Sequence, residues 1–406
     1  AALPVLGGQG FLCAGSLSSE AEPQSISPVA KPVAVGHTGT RSAVVVFARF
    51  PENGAADAAV PAWFKEIFDP DLSGSFSHFY DTMSFGQLRV RGEVVPRWYE
   101  SGNEAAFYLA DDPTKPGRFG EFSLEILQKV DADIDFSGFD NDGPDGIPNS
   151  GDDDGVVDAV FIVTGSAPRG FLLGDATGIG TLGLETHFST DDLAVDGQPI
   201  LILSRQGVIQ RGTSYPEAVG SMCHEYGHVL GLPDLYNTAY LLQKGASPEE
   251  DSAGIGAWGL MGWGTLGWNG VDGPNSFCAW SRMQLGWTKV VEVKRDEQEV
   301  QLEEVGQGGA VFKLPLTDRE YFLLENRRRG SYYDRNIPAE GLLIWHVEHL
   351  PDTEGQVSVV EVNLQCADGL WLDAGYPLGV QPDGRGGEDN LDYWAHDAEY
   401  ARRHAG

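Results

Sequence analysis

Residues 224–234, His-Glu-Tyr-Gly-His-Val-Leu-Gly-Leu-Pro-Asp, constrain this chain more than any other segment. On an α-helix a spacing of four offsets two side chains by only ~40° and separates them by ~6 Å along the axis, so His224 and His228 project side by side. Two imidazoles one turn apart, followed past a glycine by the Asp234 carboxylate, form the ligand layout of a catalytic zinc site with one position left open. Glu225 stands next to the first ligand but is rotated off the ligand stripe. That position suits holding a water and taking its proton, the role of a general base, and peptide hydrolysis is the expected reaction. The bare five-residue pattern arises readily by chance; the eleven-residue form does so far less often.

The flanks predict a real helix over about Tyr215 to Leu230. Ser214 with Glu217 reads as a capping box, Pro216 suits the first turn, and Gly231 suits a left-handed stop. Val219, Met222, Cys223, Tyr226, Val229 and Leu230 recur at helical spacing as a buried stripe, and Glu217, Ser221, His224 and His228 form an opposite, cleft-facing one. Gly220 and Gly227 each cost roughly 1 kcal/mol against alanine in a helix interior, so something is expected to approach that backbone closely.

With 406 residues, 41% of them hydrophobic, the chain is long enough for a large core and two or three domains. No apolar run approaches the ~20 residues needed to cross a bilayer. A net charge of −33, from 60 acidic against 27 basic residues, argues against nucleic acid or an anionic membrane as partner. Four cysteines, at 13, 223, 278 and 366, form no C-x-x-C pair and indicate neither a thiolate cluster nor a dense disulfide framework; one bridge is possible and none is compelled. Cys223 falls on the apolar stripe and reads as core. The absence of an initiator methionine and of a secretion signal makes the sequence read as a processed or trimmed product.

Residues 1–40, rich in Gly, Ser, Ala and Pro, read as a flexible lead segment or propeptide remnant. From Arg41 the texture alternates: a β run at Ser42–Phe50, a short helix marked by Phe76, Phe79, Tyr80 and Met83, a strand or hairpin through Leu88–Val95, a helix through Phe119–Val130, and a buried strand at Val156–Thr164. This alternation predicts an α/β (α+β) catalytic domain over 41–288. From about Lys289 to residue 406 the runs are β-like, as at Glu320–Glu325 and Gly341–Val347, and predict a β-rich C-terminal region, separate or part of the catalytic unit. Asp131–Asp158 holds ten aspartates and no Lys, Arg or His. Hard oxygen ligands with glycines at 143, 146, 151 and 155 suit one or two calcium ions, with Asp140, Asp142, Asp152, Asp154 and Asp158 as candidate ligands; a solvated acidic loop is the plainer reading.

Several segments together resemble the immune inhibitor A family of secreted zinc metallopeptidases: Cys223–Tyr236, Gly254–Gly264, Phe76–Val90, Phe136–Asp158, and Glu320–Val347 with Ala367-Asp368-Gly369. The resemblance implies a zincin/metzincin-like catalytic domain, zinc on His224, His228 and Asp234, Glu225 as base, and Met261 in a methionine turn beneath the metal. It also implies secretion and protein or peptide substrates. Read alone, Met261 is a flexible apolar residue in a Gly/Trp-rich loop. Pro144–Gly151 stands as an insertion relative to the family's compact pattern. The alternative function is a non-catalytic, calcium-dependent binding or adhesion protein on the same scaffold. The intact Glu225 favours the enzyme, since a binding module has no use for a base beside the ligands. His187, His346 and Asp368 read as structural groups.

Overall fold

A computed structural model of the chain describes residues 13–14, 36–54, 59–112, 115–174, 176–236, 254–294, 300–349 and 360–365. In chain order the elements are β1 (Cys13–Ala14), β2 (Gly39–Arg49), α1 (Phe76–Met83), β3 (Leu88–Glu100), the single turn α2 (Ala105–Tyr108), α3 (Phe119–Asp131), β4 (Ala159–Thr164), β5 (Gly178–Ile179), the pair β6 (His187–Leu193) and β7 (Pro199–Leu203), β8 (Gly207–Gln210) and α4 (Tyr215–Val229). After α4 come α5 (Ala279–Gln284), β9 (Val290–Glu292), β10 (Val311–Pro315), β11 (Glu320–Arg327), β12 (Gly341–His349) and β13 (Val360–Leu364).

The fold is mixed α/β. The central sheet runs β1-β5-β8-β4-β2-β3; β8, β4, β2 and β3 are parallel, and β5 turns antiparallel against β8. A parallel pair needs a crossover, and α1 supplies the one from β2 to β3. The segment at 88–95 is therefore a long strand parallel to β2, not one arm of a hairpin.

Central strands buried on both faces send alternate side chains to two cores. Ala43, Val45 and Phe47 of β2, with Phe161 and Val163 of β4, join α1 and α4 in one cluster. Val44, Val46, Val160 and Ile162 face the other way, onto Phe122, Ile126, Leu127 and Val130 of α3. The apolar spacing of α3 is thus the footprint of its packing on the sheet.

The last five strands form a second sheet, ordered β13-β12-β11-β10-β9 and antiparallel except between β9 and β10. Leu323, Leu343, Trp345 and Val347 from this sheet belong to the same buried cluster as Val219, Met222, Cys223 and Tyr226 of α4. One continuous core therefore links the second sheet to the helix that carries the histidines.

Candidate metal centre

Helix α4 starts where its sequence predicts. Glu217 reaches back to accept the Ser214 N–H at 3.1 Å, and Pro216 occupies the first turn. At the other end Gly231 takes φ +95°, its N–H donates to the His228 carbonyl at 2.9 Å, and the Leu232 N–H donates to the Gly227 carbonyl at 3.0 Å. These paired bonds are a Schellman stop. They reverse the chain sharply enough for Asp234 to return to the helix side it has just left.

Three side chains converge there. Asp234 Oδ1 lies 3.0 Å from His224 Nε2 and 3.4 Å from His228 Nε2, and the two rings stand 4.9 Å apart. One ligand atom from each of the three falls within 4.8 Å of the others. The far side of each ring is also fixed: His224 Nδ1 meets the Leu260 carbonyl and His228 Nδ1 the Leu232 carbonyl, both at 2.8 Å. A carbonyl only accepts, so Nδ1 carries the hydrogen and a neutral ring turns a bare Nε2 lone pair toward Asp234. Acceptors facing acceptors need a positive charge between them, and Asp234 Oδ2 is buried without a hydrogen-bond partner. This donor set fits a divalent metal.

Without an ion between them, the positive charge that Asp234 demands falls on an imidazole instead. Burial alone would lower the His228 imidazole, but the Asp234 carboxylate, helped by Glu225 and the Leu232 carbonyl, raises it to about 9. Burial would likewise raise Asp234, yet the two histidines hold it far below the ordinary carboxylate range.

The helix is not the two-faced element that its pattern predicts. Ser221, His224 and Glu225 are as buried as the apolar stripe, because glycines let neighbours close on every side. A Cβ on Gly178 of β5 would sit 2.3 Å from Glu225 Oε1, and one on Gly180 would sit 2.7 Å from the His228 Cβ. The segment after α4 closes the opposite flank. The Thr265 carbonyl would lie 2.0 Å from a Cβ on Gly220 and the Met261 sulfur 2.5 Å from one on Gly227, so these are the close approaches that the helix glycines accommodate. Met261 is fully buried, seated against the helix between the histidine turns. Gly178 and Gly180 escaped sequence reading, since a two-residue strand leaves no periodic signal.

The aspartate-rich loop is organised differently from its predicted ligand set. Carboxylate oxygens of Asp140, Asp142 and Asp153 come within 4.8 Å of one another. Asp140 Oδ1 and Asn141 Oδ1 are buried without hydrogen-bond partners, while Asp140 Oδ2 accepts from the Gly155 N–H at 3.0 Å. Asp154 borders the group and accepts from the Val156 N–H at 3.0 Å. Asp152 is drawn to the Ser150 hydroxyl and the Asp145 N–H. Asp158 accepts from the Ser42 and Asn141 N–H groups at 2.7 and 3.1 Å and faces Arg41. Burial, then neighbouring aspartates, push Asp140 up to about 7; burial pushes Asp158 up to about 8. Nothing in the spacing distinguishes Asp153 from its neighbours.

Elsewhere, His346 Nε2 pairs with Glu320 at 2.8 Å and His187 begins β6 and is exposed; Asp368 lies outside the described residues. Cys223 is fully buried and burial pushes its thiol well up, as for a core residue.

A histidine pair and aspartate beside a helix-borne glutamate, covered by β5 of a mixed sheet, fit the metallopeptidase class. The model of the immune inhibitor A peptidase M6 catalytic domain matches residues 65–291, more than half of the chain, and the chain belongs to that family. It is similar to immune inhibitor A of Bacillus thuringiensis subsp. alesti, at 31% identity over 186 residues, 41% of this chain and 26% of that protein. It is also similar to the pre-pro-metalloprotease PrtV of Vibrio cholerae serotype O1, at 27% identity over 230 residues, 52% of this chain and 23% of that protein. The matches span about a quarter of each relative's length.

Proposed function

We propose that this chain is a secreted, zincin/metzincin-like zinc endopeptidase whose substrates are proteins or peptides. The observation that carries the reading is the convergence of His224 Nε2, His228 Nε2 and an Asp234 oxygen, each ring locked from behind by a main-chain carbonyl. Zinc held by these three residues would polarise a peptide carbonyl and acidify water. Glu225, adjacent on the helix and enclosed by β5, takes the proton of the attacking water and passes it to the departing amine. Its burial keeps bulk water from competing for that proton.

Residues 41–288 form the catalytic domain and 289–406 complete it, in keeping with the core that the second sheet shares with α4. Residues 1–40 are a lead segment of propeptide type, within which the backbone of Cys13–Ala14 pairs parallel to β5, the strand that covers Glu225. The Vibrio relative's printed name, a pre-pro-metalloprotease, supports export with such a segment. No helix among the described residues is long and apolar enough to cross a membrane. One calcium ion is held by Asp140, Asp142 and Asp153, the orphaned Asp140 and Asn141 oxygens favouring a cation over a merely solvated loop.

Casein digestion by the zinc-loaded chain and by Glu225→Ala tests the reading. Wild type should cleave and the variant should not. Equal rates would remove Glu225 as base, and inactivity of both would return the binding or adhesion alternative.

A further inference from the structure

Three residues in and below the second sheet make a buried polar network that peptide hydrolysis does not use directly. Arg327, at the end of β11, donates through Nη1 to the Trp258 carbonyl at 3.2 Å and to Glu325 at 3.3 Å. Its Nη2 reaches Asp334 and, at 3.3 Å, the Ser276 hydroxyl, which itself donates to Asp334. All three side chains are essentially inaccessible to solvent. A guanidinium and two carboxylates out of water persist only as a set, because removing one partner strands the others. Burial would raise the Asp334 carboxyl, but Arg327, Ser276 and Arg282 hold it below its ordinary value.

The network ends on the metal centre. The Ser276 carbonyl accepts the Leu260 N–H at 3.1 Å, and the Leu260 carbonyl accepts His224 Nδ1 at 2.8 Å. One residue on, the Met261 carbonyl accepts the Leu235 N–H at 2.8 Å, next to Asp234, while its side chain presses on Gly227. The segment 258–261 thus touches the first histidine, the helix and the neighbour of the aspartate, and is itself tied at Trp258 and Leu260. A backbone carbonyl orients a ligand imidazole only as well as its own peptide is held.

We propose that Arg327 and Asp334, both beyond the stretch matched by the catalytic-domain model, are positioning residues that clamp the 258–261 turn and thereby fix the ring orientation of His224 and the return of Asp234. The second sheet is then part of the metal centre rather than an appendage. The inference rests on the zinc reading of the site and deepens it.

Zinc affinity measured by chelator competition, with the cobalt(II) absorption spectrum and melting of the same samples, tests it in the full chain. Asp334→Asn keeps the volume and Arg327→Lys keeps a charge that cannot span Trp258 and Asp334 together; both should fold yet bind zinc about 10- to 100-fold more weakly, with an altered cobalt spectrum. Their kcat should fall at little-changed KM. Ser276→Ala, which retains the main-chain link to Leu260, should show a smaller loss and remains readable if the charged variants do not fold. Wild-type affinity and spectrum in the folded variants would overturn the clamp alone. Wild type that takes up no zinc, or His224→Ala that takes it up equally, would instead overturn the metal centre and the clamp with it.

Discussion

Replacing Gly220 by alanine measures how hard the segment after Met261 presses on the metal helix. In an unobstructed helix interior the change would stabilise by about 1 kcal/mol. Here the new methyl carbon would stand 2.0 Å from the Thr265 carbonyl oxygen, against an ordinary contact beginning at 3.4 Å, so 1.4 Å of space must be opened. The obstacle is main chain, and the turn at Gly264–Leu266 would have to move as a unit. Such overpacking costs typically 1–3 kcal/mol, and a backbone obstacle belongs at about the upper end. Subtracting the propensity gain leaves a net loss of about 2 kcal/mol, or roughly 2 °C in apparent melting temperature for a chain of this size. Gly227→Ala is the companion: the shortfall is 0.9 Å and the obstacle is the Met261 sulfur, 2.5 Å away on a flexible thioether. It should cost about 1 kcal/mol less than Gly220→Ala, while weakening zinc binding more, since the displaced sulfur lies between the two histidine turns. Thermal melting followed by circular dichroism, beside zinc titration, reads both. A stability for Gly220→Ala equal to or above wild type would refute the packing on which the argument depends.

The remaining expectations follow from single contacts. Gly178→Ala places a methyl carbon 2.3 Å from Glu225 Oε1 and should cut kcat about 100-fold while leaving zinc uptake intact; an unchanged kcat would show that β5 does not confine the base. Tyr80→Phe removes the buried bond from the Tyr80 hydroxyl to the Cys223 carbonyl and should cost about 1 kcal/mol in urea unfolding without changing KM. Asp140 and Asp158, raised from 3.8 to about 7 and about 8, stabilise the cation-free fold below the unfolded value and lose that contribution as pH rises through the folded ones. Calcium should therefore raise the melting temperature more at alkaline than at acidic pH, and identical melting in chelator and calcium at alkaline pH would remove calcium from the loop.

The sequence makes the histidine-helix pattern legible because every signal in it is local. Capping residues, a four-residue histidine spacing and a glycine stop act within a few turns, so α4 begins and ends as its residues dictate. The core strands read at Ser42–Phe50 and Val156–Thr164 are legible for the same reason, through the apolar runs Ala43–Ala48 and Ala159–Val163 that lie in β2 and β4 and are buried on both faces. What encloses α4 is not local. Gly178, Gly180 and Thr265 meet the helix from remote parts of the chain, and their contacts turn the expected cleft-facing stripe into a buried one. Likewise ten aspartates announce a charged loop, but only its path selects Asp153 over Asp152.

Short-range chemistry, then, wrote the two histidines, the adjacent glutamate and the returning aspartate into the primary structure, because a helix converts sequence spacing directly into direction. Which carbonyls lock the rings, which glycines admit the covering strand, and how Arg327 in β11 braces the turn beside His224 were decided only by tertiary packing. Those contacts join residues far apart in the chain, and no periodicity along it records where they will meet.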